Sequence, residues 1–227
     1  MRRAVDLLLV NPGNRAEQFA GLSSLATVAP PLGIALLAAH VRQRTGCSVA
    51  IFDAEAHGIG SAEATVSAIE AAFEPRVVGL TAFTTKMTAA GAVLREVKRR
   101  WPEVLTLIGG HHPSALPART LAEEAADLVV KGEGFEPVAE LMRRLARGER
   151  DLGGIRGLWR RAPDGSAVDG GQAPGANDLD EIPMAAWDLL PMERYRAHHW
   201  QTWGRELCSG RFALIYTSLG CPFDCDY

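Results

Sequence analysis

The run Val104–Pro113 reads VLTLIGGHHP. Its apolar residues Val104, Leu105, Leu107 and Ile108 stop abruptly at Gly109-Gly110. A short continuous apolar run bounded by glycine predicts a strand buried on both faces, as in a parallel sheet. Two glycines at its carboxyl end leave the backbone bare, so a flat or bulky ligand can approach the main chain closely. In open α/β sheets the carboxyl ends of the strands are where ligands bind.

Working outward from this strand, the same pattern repeats on both sides. Ala4–Val10 predicts a first strand, closed by the Asn11-Pro12-Gly13 turn. Pro31 suits the start of a helix over Leu32–Arg44, with Leu32, Ala35, Leu36, Ala39 and His40 on its apolar stripe and Gly46 as its cap. Ser48–Phe52 is the second strand, with Asp53 and His57 beyond its end. Ser61 caps a helix to about Phe73, Val77–Thr81 is the third strand, and a helix runs from Thr84 or Thr85 to Trp101 with Val93, Leu94 and Val97 inward. After the opening stretch come a short helix Pro117–Ala125, a fifth strand Asp127–Lys131, and a helix Pro137–Arg147 introduced by Gly132-Glu133-Gly134. Strands alternating with helices at this spacing predict a doubly wound, five-stranded parallel α/β sheet of flavodoxin-like or Rossmann-like type over residues 1–150.

Beyond Gly148 the texture changes. Ile155–Arg161 and Ser166–Val168 flank Pro163-Asp164-Gly165, a hairpin signature. Ala173–Leu190 reads as a linker, and the aromatics Trp187, Tyr195, Trp200 and Trp203 are expected to dock this stretch on a neighbouring domain. Hairpin and linker occupy residues 151–210. Phe212–Thr217 predicts a new strand, opening a third region over 211–227.

The chain has 227 residues, 47% hydrophobic and 22% charged, with a net charge of −3, which is ordinary for a soluble globular protein and gives no reason to expect nucleic acid. Arg143, Arg144, Arg147 and Arg150 read as a solvated helix face. The amino-terminal apolar run contains Asp6 and is too short for a signal peptide or a membrane span. Four unevenly placed cysteines form no secreted disulfide framework; a reduced, cytoplasmic setting fits.

Cys221 and Cys225 are separated by three residues just past the last strand, in Gly-Cys-Pro-Phe-Asp-Cys-Asp-Tyr. Two unrelated loop cysteines, a zinc site lacking its second ligand pair, and an iron–sulfur site are the readings open to them. This segment resembles the opening of the radical S-adenosylmethionine family, whose Cys-x3-Cys-x2-Cys signature holds a [4Fe-4S] cluster. The third cysteine would stand immediately after Tyr227, and this sequence lacks it. The resemblance thus implies a piece of a longer enzyme, catalytically silent as it stands, with Cys221 and Cys225 as metal ligands.

The resemblance extends upstream. PPLGIALLAAHVRQRTG, VVGLTAFT, LIGGHHPSALP, VVKGEG and DLDEIPMAAWDLLP together are similar to the cobalamin-binding domain that precedes the catalytic barrel in one branch of that family. It implies cobalamin, a [4Fe-4S] cluster and S-adenosylmethionine as cofactors, a small-molecule substrate, and an electron donor for the cluster. The implied activity is methyl transfer to an unactivated carbon or phosphorus centre, with oxidative cyclisation or rearrangement as the alternative. The cofactor-contact candidates are Asp53, Thr81, Ala82, Phe83, Gly109, Gly110, His111, Gly132, Glu133 and Gly134. A hydroxyl at a strand end can bond a buried base, and glycines leave room for the cofactor's nucleotide tail. The Asp-x-His-x-x-Gly spacing that supplies a cobalt ligand in many cobalamin domains is not met, because Asp53 and His57 are four apart; His57 is expected to be a loop residue. Glu133 is expected to cap the following helix or to accept a hydrogen bond from a cofactor amide. Two rivals are a plain flavodoxin-like binding domain and a dehydrogenase; the latter is weak because Asn11-Pro12-Gly13-Asn14 stands where a Gly-x-Gly-x-x-Gly would be.

Overall fold

The computed structural model describes residues 2–14, 19, 27–175, 179–197 and 213–218. Its strands are β1 (Arg3–Asn11), β2 (Val49–Asp53), β3 (Phe73–Thr81), β4 (Leu105–Gly109), β5 (Leu128–Val130), β6 (Leu158–Arg161) and β7 (Ala167–Val168). Its helices are α1 (Leu32–Thr45), α2 (Ala62–Ala72), α3 (Met87–Arg100), α4 (His111–Ala115), α5 (Pro117–Glu123) and α6 (Phe135–Ala146). The sheet order is β2-β1-β3-β4-β5-β6-β7. The first five strands in that order run parallel, and β6 and β7 are antiparallel.

Alternation along the strands splits the core in two. Leu7, Leu9, Val77, Leu107, Leu128 and Val130 face α1 and α6, whereas Leu8, Val10, Val78, Leu80, Ile108 and Val129 face α2 and α3. Both faces are covered, which is why the strands read as continuous apolar runs. Local signals set the helix ends. The Ser61 hydroxyl accepts from Ala64 N at 3.2 Å, and Gly46 closes α1 at φ 68° with its N–H on the Arg42 carbonyl.

Among the described residues the five expected parallel strands are extended to seven by the hairpin, with β6 pairing β5 through Val130↔Leu158. The three residues of β5 would otherwise present an unpaired edge, and β6 satisfies it. The linker is not loose either. Ala186 N donates to the Ala35 carbonyl of α1 at 3.0 Å, Arg42 reaches Asp188 at 2.7 Å, and Arg44 reaches Glu181 at 2.7 Å. Trp187 and Tyr195 pack on the α1 side, as expected of docking aromatics; Trp200 and Trp203 lie outside the described residues. The buried face of α1 is consequently broad, adding Ile34, Ala38 and Val41 to the expected stripe.

Of the strand expected over Phe212–Thr217, residues 213–217 form no ladder with any described residue, and Phe212 lies outside the described residues. Leu214 packs against the α1-side core, and Ile215 is exposed. Among the described residues no helix is long and apolar enough to cross a membrane.

Candidate functional site

The parallel register brings the carboxyl ends of β3, β4 and β5 side by side, with Thr81 opposite Gly109 and Ile108 opposite Val129. Thr81, Phe83, Gly109, Gly110 and His111 gather on this edge, and Gly132–Gly134 follow β5 beside them. The backbone stitches the rim together. Ala82 N donates to the Gly109 carbonyl at 3.0 Å, His112 N to the Ala82 carbonyl at 3.3 Å, and Gly132 N to the Ser114 hydroxyl at 3.0 Å.

Glycine is required at Gly110. Its φ of 102° with ψ −176° is a conformation essentially confined to glycine, and a Cβ there would lie 2.8 Å from both the Ala82 carbonyl oxygen and the Thr81 hydroxyl. Gly132, at φ 80°, turns the chain out of β5 in the same way. At Gly109, Gly110 and Gly132 the rim is main chain, with the Thr81 and Ser114 hydroxyls beside it.

The other candidates occupy distinct environments. The Ala82 side chain is buried in the core beneath the rim. Phe83 is 54% exposed and stacks on the His111 ring at 4.7 Å between centroids and 17° between planes. This exposed aromatic pair stands beside Gly109-Gly110. The Thr84 hydroxyl lies 3.1 Å from His112 Nδ1. Glu133 is exposed, and α6 begins at Phe135 with Gly134 as its N-cap and no side-chain cap, so the expected capping role is not realised. His57 is an exposed turn residue stacked on Phe52 at 5.3 Å. Cys221 and Cys225 lie outside the described residues; among those described, no cluster of three or more His, Cys, Asp or Glu is placed to hold a metal.

Asp53 sits at the end of β2, separated from β3 by β1, and is 1% exposed. Its carboxylate is engaged from three directions. Asn11 Nδ2 donates to Oδ1 at 2.8 Å, Ala56 N to Oδ1 at 3.1 Å, and the Tyr195 hydroxyl to Oδ2 at 2.8 Å. Burial, the dominant effect, raises the Asp53 pKa, while the three hydrogen bonds and the Lys86 charge oppose it. The Tyr195 pKa is raised as well, by burial first and then by the Asp53 charge. The network continues through Asn11 Oδ1, which accepts from Lys86 Nζ at 3.3 Å, to the Lys86–Glu55 ion pair at 2.9 Å. It ties the linker, the ends of β1 and β2, and the start of α3 into one unit.

Lys86, Asn11, Glu55 and Tyr195 were not among the sequence candidates. A buried carboxylate at a strand end signals that partners exist. Nothing local identifies Tyr195, which lies 142 residues away. Removing its hydroxyl in Tyr195→Phe leaves Asp53 Oδ2 buried without a donor and should cost about 1–3 kcal/mol. Hydrogen exchange should then quicken over residues 179–197 while β1 and β3 keep their protection; unchanged exchange in the linker would remove the anchoring role.

Comparison with known proteins places these features in context. Residues 20–142 match the B12 binding domain family. An uncharacterized methyltransferase of Pyrococcus horikoshii is 35% identical over 202 residues, covering 88% of this chain and 40% of that protein. The anaerobic magnesium-protoporphyrin IX monomethyl ester cyclase of Rubrivivax gelatinosus is 28% identical over 201 residues, covering 87% and 34%. The chain thus spans well under half the length of these relatives. Among solved structures, the radical S-adenosylmethionine methyltransferase TsrM from Kitasatospora setae, with cobalamin and a [4Fe-4S] cluster bound, superposes with a TM-score of 0.61 at 22% identity, over 81% of this chain and 31% of that one. At that identity the likeness is one of fold. The match to the family runs from the loop after β1 through α6 and takes in every strand end of the glycine-lined rim, so this chain belongs to the B12 binding domain family.

Proposed function

We propose that this chain is the cobalamin-binding part of a cobalamin-dependent radical S-adenosylmethionine enzyme, a methyltransferase acting on an unactivated carbon or phosphorus centre. The observation that carries the reading is the carboxyl edge turned by Gly109-Gly110, with Gly110 at φ 102°, which lies within the family match. The residues present suit the cofactor: Gly109, Gly110 and Gly132 carry no side chains of their own at this edge, and Thr81 offers a hydroxyl beside them. Phe83 and His111 stand on one side of the two glycines, and Gly132-Glu133-Gly134 follow β5 on the other. Ala82 serves from below by holding the β3–β4 rim through its backbone, and Asp53 serves by fixing the β2 end. Cobalamin, when bound, supplies a transferable methyl group. Cys221 and Cys225 are proposed as two of the ligands of a [4Fe-4S] cluster that would act with S-adenosylmethionine and an electron donor in the whole protein; the chain by itself is proposed to bind without catalysing. The identity with a cyclase supports oxidative cyclisation as the second reading.

Purified chain mixed with hydroxocobalamin and desalted should retain the visible corrin absorbance in near-stoichiometric amount. Loss of the corrin on desalting at micromolar protein would overturn the cobalamin assignment.

A further inference from the structure

A second place for a ligand lies at the opposite end of the sheet. There the segment after α6 and the ends of β5 and β6 form an open surface cavity of ≈ 410 Å³ in which Arg150, Asp151 and Arg161 are exposed. Arg150, Arg160 and Arg161 line it, with Asp127, Asp151 and the apolar Leu128. This volume is within the range of small-molecule sites.

The three guanidinium groups differ in what they already do. Arg161 is held in place, donating to the carbonyls of Ala126 at 2.9 Å and Glu124 at 2.9 Å and to that of Leu121. Carbonyl acceptors orient the group but leave its charge uncancelled. Arg150 and Arg160 make no side-chain hydrogen bond or ion pair among the described residues. By contrast, Arg143, Arg144 and Arg147 pair with Glu140 or Glu149. Asp127 is paired elsewhere: its Oδ2 stands 2.6 Å from Lys98 Nζ and accepts from Thr106 N. Asp151 accepts only from Gly153 N, at 2.8 Å, and keeps its charge in the cavity. Three guanidinium groups against one uncancelled carboxylate leave the cavity net positive.

We propose that this cavity binds a small phosphate-bearing anion, held by Arg150 and Arg160 while Arg161 supplies a fixed positive charge. A single carboxylate satisfies one guanidinium fork, whereas a phosphate group has enough acceptor oxygens for two. The site lies at the amino end of β5, away from the Gly109-Gly110 edge, so its occupancy does not depend on cobalamin.

Titration calorimetry of the chain with inorganic phosphate, at constant ionic strength and without cobalamin, tests this directly. Saturable binding is expected, with acetate and chloride giving none. Arg150→Gln and Arg160→Gln should each weaken it about tenfold or more, and Arg156→Gln, outside the cavity, should leave it unchanged. Arg150 lies outside any strand, so its variant keeps the fold if β6 suffers in the other. Absence of saturable heat, an equal response to acetate, or full binding by both cavity variants would each overturn the proposal.

Discussion

Gly110→Ala should lower the unfolding free energy by about 3 kcal/mol or more, read by urea denaturation, and should abolish corrin retention. Two costs combine. The backbone at φ 102° and ψ −176° is closed to side-chain-bearing residues, and the new methyl would sit 2.8 Å from the Ala82 carbonyl and the Thr81 hydroxyl. Relief requires the start of α4 to move, which breaks the His112 N–Ala82 O bond and opens the rim. Gly46→Ala is the matched control. Its φ of 68° is also left-handed, but open space surrounds it, so about 1 kcal/mol is expected, with corrin retention intact. If both variants lose the same stability and keep the corrin equally, the rim geometry has no part in binding.

Asp53→Ala should be as damaging, about 3 kcal/mol, because it strands Asn11 Nδ2, Ala56 N and the Tyr195 hydroxyl as buried donors. Asp53→Asn behaves oppositely. An amide oxygen can take the place of Oδ1, and the amide nitrogen can donate to the Tyr195 hydroxyl, which accepts as readily as it donates. The charge disappears while the contacts remain. Since the folded protein raises the Asp53 pKa, its ionised form opposes folding above that pKa and ceases to do so below 3.8. The wild type should therefore be no more stable than Asp53→Asn at neutral pH and should gain on it as the pH falls toward 3.8. Urea melts at neutral and mildly acidic pH read the difference; a gap that widens on acidification would contradict the sign.

Much of this architecture was legible in the residues themselves. The alternating β and α segments depend on local periodicity, and the glycine rim depends on a dipeptide that no apolar strand would otherwise carry. Two kinds of feature escaped. The first was the fate of the hairpin: its Pro-Asp-Gly turn is a local signal, but pairing with β5 is a property of an edge that exists only once the sheet has formed. The second was the network around Asp53, whose members come from β1, β2, α3 and the linker. Thr81 and Gly110 meet through strand register and could be listed from sequence; Lys86 and Tyr195 meet their partners through folding alone. Ala82 follows Thr81 in sequence, but alternation turns its side chain into the core.

The tie between Tyr195 and Asp53 also bears on where this polypeptide can be cut. A fragment ending after α6 would carry an ionisable group sealed in its interior with one donor gone, and β5 would be left as a raw border inviting association with other copies. The shortest piece expected to stay monomeric when expressed by itself must therefore continue through Tyr195.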